Sequence, residues 1–303
     1  MYGNDFLIKN KMTMKKYIES LFMMLFAIVL LASCTEDEGA EPGSSSLPSV
    51  MLYSYSATAP NDPDNDLAVK LAANSASDQV YYLAEKTSDK KARGLSDADY
   101  ADYIISNGNK VSDFSADGAD GAKISDVVVK DMKGDYTISA VAVNGKSKSK
   151  VSSITFFGPD WVTIANGTYN FSSRAQSRLG VNASIGTSLQ YLATSPTTYR
   201  LKNIYGIGHS LNLTLTENTG SDNTGKLQYL RVAAQATPYE YSSYGTVNVR
   251  DLGYWQNDDS FAYGTTYGCY IYTENNKNTM VIPLQYYVSA SSLGYGVDEF
   301  VPE

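Results

Sequence analysis

Imidazole is almost missing from this chain, which has a single histidine, His209, after Gly206-Ile207-Gly208. Zinc sites and Ser-His-Asp triads both lean on imidazole, so those chemistries are set aside and His209 reads as a loop residue. Cysteine is nearly as scarce, with only Cys34 and Cys269. In Gly268-Cys269-Tyr270-Ile271 the cysteine alternates with Ile271 on one strand face, which predicts a small buried apolar residue rather than a reactive thiol. Basic charge is short as well. Past residue 33 the chain holds 20 Lys and Arg against 30 Asp and Glu, a formal charge of about -10. Nucleic-acid binding needs a basic face to neutralise phosphate, so it is excluded as a function class.

Long apolar runs are also lacking. The one candidate, Leu21 to Ala32, is twelve residues long, too short to span a bilayer as a helix, and it follows Lys9, Lys11, Lys15 and Lys16. That is the layout of a signal peptide over residues 1–33, with Met14-Lys15-Lys16 the more usual start for one. Small residues precede the cysteine in Leu31-Ala32-Ser33-Cys34, and Thr35-Glu36-Asp37-Glu38 follow it. The first stretch resembles the bacterial lipobox, and the second resembles the export signal of surface lipoproteins in Bacteroidota. The resemblance implies that Cys34 is acylated and that the chain sits in outer-membrane lipid at the cell surface. Each buried CH₂ contributes about 0.8 kcal/mol, so two or three acyl chains hold firmly. An ordinary secretory signal with a chance cysteine is the alternative. The acidic, Gly- and Ser-rich residues 34–47 also read as a flexible solvated tether.

The residues after position 47 suffice for two domains of ordinary size. Residues 48–157 carry period-two patterns: Leu67, Val69 and Leu71; Val127 and Val129; Tyr136, Ile138, Ala140 and Ala142. These predict half-buried antiparallel strands. The stretch Gly134 to Gly145 resembles the penultimate strand of fibronectin type III domains, which places Tyr136 as a tyrosine-corner residue and Ser147 to Phe157 as the last strand. The strand B tryptophan of that family is absent, with Leu71 about where it stands. Ser96-Asp97-Ala98-Asp99 starts a capping-box-like helix that Asn107-Gly108 closes, so one short inserted helix, Ser96 to Ser106, is expected to cover a sheet edge. Asp62, Asp64 and Asp66 have the alternate spacing of a calcium loop, but Leu67 and Ala73 stand where its glycine and glutamate belong; Asp113 and Asp117-Gly118 fail likewise at Ile124. Both read as solvated turns, and no metal or cofactor is expected.

Gly158-Pro159-Asp160 breaks the pattern and opens residues 158–303, which hold 16 of the 25 tyrosines and both tryptophans. His209 to Thr216 alternates cleanly, as do Met280, Ile282, Leu284, Tyr286 and Val288, with weaker strands at Lys226 to Ala233 and Tyr244 to Val249. No helical periodicity of useful length is present. The predicted fold class is all-β: two tandem β-sandwich domains, an Ig/fibronectin III-like module and then a jelly-roll-like sandwich. Tyr199 to Gly206, Tyr286-Tyr287-Val288 and Gly294-Tyr295-Gly296 resemble the C-terminal domains of Bacteroidota outer-membrane lipoproteins of glycan-utilisation systems. That likeness implies a non-catalytic accessory role, with a poly- or oligosaccharide, an outer-membrane transporter or other lipoproteins as partners.

Aromatic residues are densest from Tyr239 to Tyr267, interleaved with Gln256, Asn257, Asp258 and Asp259. Flat rings stack on the C–H faces of sugars while amides and carboxylates bond to hydroxyls, so Trp255, Tyr254, Tyr263, Tyr244, Asn257 and Asp258 are the candidate ligand-binding residues, Trp255 foremost. The competing reading is that these tyrosines are ordinary strand residues. A structural or adhesive protein that binds a protein partner is the second function class. A glycoside hydrolase is the third, but Asp258, Asp259 and Glu274 cannot be paired at a fixed separation from sequence. Cys34→Ala is expected to release the protein from membranes; fractionation that still finds it membrane-bound contradicts lipidation as the anchor.

Overall fold

The computed structural model describes residues 47–303 except 113, 115–120, 223–224 and 275–276, and omits the side chains of 222, 225 and 274. The signal segment, Cys34, the tether up to residue 46, Asp113 and Asp117-Gly118 lie outside the described residues. The described chain is all-β, with a few short helices.

Eight strands come first: β1 (Val50–Ser56), β2 (Leu67–Ala73), β3 (Gln79–Lys86), β4 (Asn109–Lys110), β5 (Lys123–Val129), β6 (Gly134–Asn144), β7 (Ser147–Lys148) and β8 (Ser152–Gly158). They form two antiparallel sheets. One runs β1-β2-β5; the other runs β4-β3-β6, with β6 also pairing β7 and β8. Leu67, Val69 and Leu71 point inward from the first sheet to meet Val80, Ile138, Ala140 and Ala142 of the second, as the alternation predicts. Val127, Val129 and Tyr136 pack against the same core. Leu71 is fully buried where the resemblance had a tryptophan.

Strand β6 is buried on both faces, and the inserted segment is the reason. It holds two helices rather than one, α1 (Thr87–Arg93) and α2 (Asp97–Asn107), divided by Gly94 in the left-handed region (φ 60°). Ser96 caps α2 as predicted, its Oγ accepting from the Asp99 amide at 3.2 Å. Tyr100, Ala101 and Ile104 of α2 pack on Val141, and the Tyr100 hydroxyl donates to Glu85 at 2.8 Å. The helix therefore covers the face of the β3/β6 sheet, not its edge. The tyrosine-corner expectation is corrected too: the Tyr136 ring packs against the core, and its hydroxyl has no hydrogen-bond partner among the described residues.

The turn before β2 is not solvated. Asp62, Asp64 and Asp66 form a tight loop in which the Asp64 amide bonds Asp62 and the Asp62 amide bonds Asp66. Asp66 is buried and accepts from the Asp131 amide at 3.0 Å. Asp62 pairs with Lys202 at 2.7 Å and Asp64 with Arg200, both in the second half of the chain. Arg200 also stacks over Trp161 at 4.2 Å and donates to Gln190 at 2.7 Å.

The second half contains β9 (Trp161–Asn170), β10 (Ser184–Leu192), β11 (Ser195–Leu201), β12 (Leu211–Asp222), β13 (Gly225–Arg231), β14 (Gln235–Glu240), β15 (Thr246–Asp251), β16 (Cys269–Glu274), β17 (Lys277–Val288) and β18 (Ser291–Pro302). It is a closed antiparallel barrel instead of the expected jelly-roll. The order β17-β16-β13-β12-β11-β10-β9-β18 returns to β17, while the β14/β15 hairpin hangs outside the circuit on the second half of β17. Alternation along each strand reports one buried face and is the same for both architectures. The difference is made by the long strand β18, which pairs β17 on one side and β9 on the other, so that neither edge stays open. At this seam the backbones approach closely: a Cβ on Gly167 would lie 2.3 Å from the Val301 carbonyl.

Tyr169, Leu189, Leu201, Leu213, Ile282, Tyr286 and Phe300 fill the interior at near-zero exposure, as an eight-stranded barrel permits. A helix that the sequence pattern did not suggest, α3 (Ser173–Leu179), adds Ala175 and Leu179 to that core. Cys269 is buried there as a free thiol, and His209 sits exposed in a loop, both as read from the sequence.

Asp298 is the buried polar centre of the seam. Its carboxylate accepts from Tyr169 Oη on β9 at 2.7 Å, Tyr286 Oη on β17 at 2.6 Å and the Ser172 amide at 2.9 Å. Burial raises its pKa above the ordinary 3.8, outweighing hydrogen bonds that favour the charged form. The unfolded chain ionises at the ordinary value and the folded chain only higher, so this contribution is full below 3.8 and is lost as pH rises through the raised value. The stability of the wild type relative to Asp298→Asn is therefore expected to be greatest in acid and to fall toward neutral pH. Urea midpoints from about pH 3 to about pH 8 check this; a gap that is flat or widens contradicts it.

Candidate functional site

Large side chains occupy the barrel interior, and the candidate binding groups lie on the outer wall and in the loops. Strands β13 and β16 turn Leu227, Tyr229, Tyr270 and Tyr272 outward, and these make a small aromatic cluster of their own. The long connection from β15 to β16 folds back over it. Tyr263 meets Tyr229 edge-on at 5.6 Å, and Tyr229 meets Tyr270 at 6.5 Å. The connection opens with helix α4 (Leu252–Gln256), where Asp251 caps the Tyr254 amide at 2.8 Å. A short 3₁₀ turn, Asp259–Phe261, follows. The two pack so tightly that a Cβ on Gly253 would fall 2.6 Å from that of Ala262.

Arg231, at the outward end of β13, organises this region. Its Nε and Nη2 donate to the two oxygens of Asp251 at 2.8 and 3.2 Å, a bidentate pair whose carboxylate is almost fully buried. The Val232 amide also donates to Asp251 at 2.8 Å. Burial alone would lower the guanidinium pKa, but the Asp251 bonds and charge outweigh it and leave Arg231 above its ordinary value. The guanidinium lies 4.0 Å from the centroid of the Tyr254 ring and 5.8 Å from that of Tyr263. Its Nη1 faces Asp259 at 3.8 Å.

Beside this stack lies an open cleft of about 620 Å³, lined by Arg231, Gly253, Tyr254, Gln256, Asn257, Asp258 and Asp259. Tyr254 is 47% exposed. Asn257 holds φ at 53°, the left-handed cap of α4. Asp258 is fully exposed and accepts from the Ser260 amide at 2.8 Å, and that bond lowers its pKa. The arrangement offers one aromatic face and a rim of amide and carboxylate groups, the pairing suited to a ligand with both C–H faces and hydroxyls. Among the described residues no group of three or more His, Cys, Asp or Glu is placed to hold a metal ion.

Of the six residues singled out in the sequence, Tyr254, Asn257 and Asp258 line this cleft, and Tyr263 flanks it through Arg231. Trp255 does not line it: one residue along α4 from Tyr254, it is turned to another side of the helix and half-buried. Tyr244 does not line it either. It follows β14 and stacks on Tyr241 at 6.2 Å, while Tyr241 takes a hydrogen bond from Arg178 at 2.7 Å. Arg231 and Asp251 went unnoticed because they lie twenty positions apart with no local motif. The only hint was that Arg231 shares the outward phase of Tyr229. The organising role of the pair predicts that Arg231→Met destabilises the fold by about 3 to 5 kcal/mol, since the buried Asp251 carboxylate loses its counter-charge. An unchanged urea midpoint contradicts it.

No family model and no curated protein matches the chain. Among solved structures it is similar to an aspartate-to-alanine mutant of Kfla1895 in complex with cyclobis-(1→6)-α-nigerosyl, at 13% identity and a TM-score of 0.19, covering 78% of this chain and 29% of that one. The same mutant in complex with isomaltose matches at 13% identity and a TM-score of 0.19, covering 78% and 28%. The chain spans less than a third of the length of those structures, and so low a TM-score carries no argument about fold or ligand.

Proposed function

We propose that this protein is a cell-surface lipoprotein of the bacterial outer membrane, held by acylated Cys34, that binds extracellular glycan without catalysis as an accessory to nutrient uptake. The observation that carries the glycan reading is the exposed Tyr254 ring, which lines a polar cleft and is braced by the ion-paired Arg231. The first module, with sheets β1-β2-β5 and β4-β3-β6-β8, serves as a fibronectin III-like spacer. The anchor rests on the lipobox-like Leu31 to Cys34 and the acidic run after it.

Hydrolysis of a glycosidic bond needs a carboxyl that stays protonated to serve as acid. Asp258 is shifted the opposite way, Asp251 is held by Arg231, and Asp298, a carboxyl whose pKa burial raises, is sealed inside the barrel. That distribution favours binding over cleavage.

A second reading, adhesion to a protein partner, is favoured by one feature. Strand β1 lies at the edge of its sheet and turns Met51, Tyr53 and Tyr55 outward at 45%, 43% and 51% exposure, with Val128 of β5 on the same face. An exposed apolar edge of this kind invites strand pairing.

The discriminating experiment is calorimetry of the full chain against host and plant glycans. Tyr254→Ala is expected to weaken binding by about 1 to 3 kcal/mol, and by more than Trp255→Ala does, with little change in melting temperature. Absence of binding to every glycan moves the adhesive reading ahead.

A further inference from the structure

The one cation lining the Arg231 cleft is already paired with a carboxylate. Asp251 takes its Nε and Nη2, Tyr254 covers a face of the guanidinium, and Nη1 is turned toward Asp259 at 3.8 Å. No lysine lines the cleft. Its two rim charges are the carboxylates of Asp258, whose bond from the Ser260 amide favours the ionised form, and Asp259, whose side chain is 84% exposed and which meets Arg231 only at 3.8 Å. Counting Asp251 with them, three carboxylates face one guanidinium.

Resting on the glycan reading above, we propose that the cleft selects sugars by charge: amino sugars bind most tightly, uncharged sugars next, and sugars bearing uronate or sulfate are rejected. A sugar anion that enters sheds water and meets two carboxylates, while the one guanidinium beside them already has its charge paired with the buried Asp251 carboxylate. An ammonium group meets the same carboxylates as acceptors. Tyr254 supplies stacking that is indifferent to this charge, so the ring sets that a sugar binds and the rim sets which charge it carries.

The test uses the full chain and three matched series of oligosaccharides, a glucan, a galactan and a mannan, each as the neutral form, its C6-carboxylate and its C6-amine. Calorimetry is expected to give the order amine, neutral, carboxylate on any backbone that binds, with carboxylate at least about tenfold weaker than neutral at low salt. Raising the salt to about 1 M, where the screening length is about 3 Å, should shrink that gap in the wild type. The Asp258→Asn, Asp259→Asn double variant should raise the carboxylate-to-neutral affinity ratio about tenfold. Carboxylate binding equal to or tighter than neutral, or a ratio that neither salt nor the double variant moves, overturns the charge selection while the glycan reading stands. Failure of all three backbones in every form overturns both.

Discussion

A single buried carboxylate ties together the strands on which barrel closure depends. Asp298 is carried on β18, the strand that must pair on both sides, and its hydrogen bonds reach β9 through Tyr169, β17 through Tyr286 and the start of α3 through the Ser172 amide. Two hydroxyls and an amide that burial would otherwise leave unsatisfied are met by one acceptor. Closure in turn removes the two edges that an open sheet of this length would expose. It also turns the large residues of each strand into a single packed interior, where Phe300, Tyr286 and Tyr169 are fully covered. Large side chains occupy the barrel interior, and the Arg231 cleft lies on the outer wall.

The same logic runs through the junction with the first module. Thr163, Gln190 and Arg200 occupy adjacent positions across β9, β10 and β11, and they are hydrogen-bonded in a row on the outside of the barrel. Arg200 ends that row with Trp161 on its face and Asp64 on its edge. A guanidinium 4% exposed needs such company, because an unpaired charge there would be costly. Asn65 adds bonds to the carbonyls of Met132, in the β5–β6 loop, and of Pro159, in the linker, at 2.9 and 3.0 Å. The Asp62–Asp66 loop therefore works as a bracket between modules, and the link at Pro159-Asp160 is short because nothing is required to swing.

The sequence displayed what is local and concealed what is distant. Alternation at Leu67 to Leu71, Ile138 to Ala142 and Met280 to Val288 found the strands and their inward faces, since a period of two is written in neighbouring residues. Whether such strands close is decided by β18 meeting β9, more than a hundred residues away, and no neighbour reports that. The aspartates at 62 and 64 looked solvated because their partners stand 140 and 136 positions off. Helix α2 was legible from the Ser96 cap, whereas α1, with no capping side chain and no buried residue, left no trace in the pattern. In the cleft, composition alone located Tyr254, Asn257 and Asp258, since they lie within five residues. It favoured Trp255 for its size, although the helical turn sets 254 and 255 about 100° apart, so only one of two adjacent rings can face a given cleft.

How firmly Tyr254 is held follows from the barrel as well. The ring leans on Arg231, Arg231 on Asp251, and Asp251 on the Val232 amide at the end of β13, so the chain of contacts ends in the sheet rather than in the loop. Tyr263 pins the remainder of the connection to the outward cluster around Tyr229. A ring fixed in advance loses little freedom when it meets a ligand, and more of the stacking energy is then available as affinity. The bracing has a chemical consequence, because the bonds that immobilise Arg231 also pair its charge with Asp251. The cleft has exchanged an unpaired cation for a rigid aromatic surface, rimmed by the amides of Gln256 and Asn257 and the carboxylates of Asp258 and Asp259.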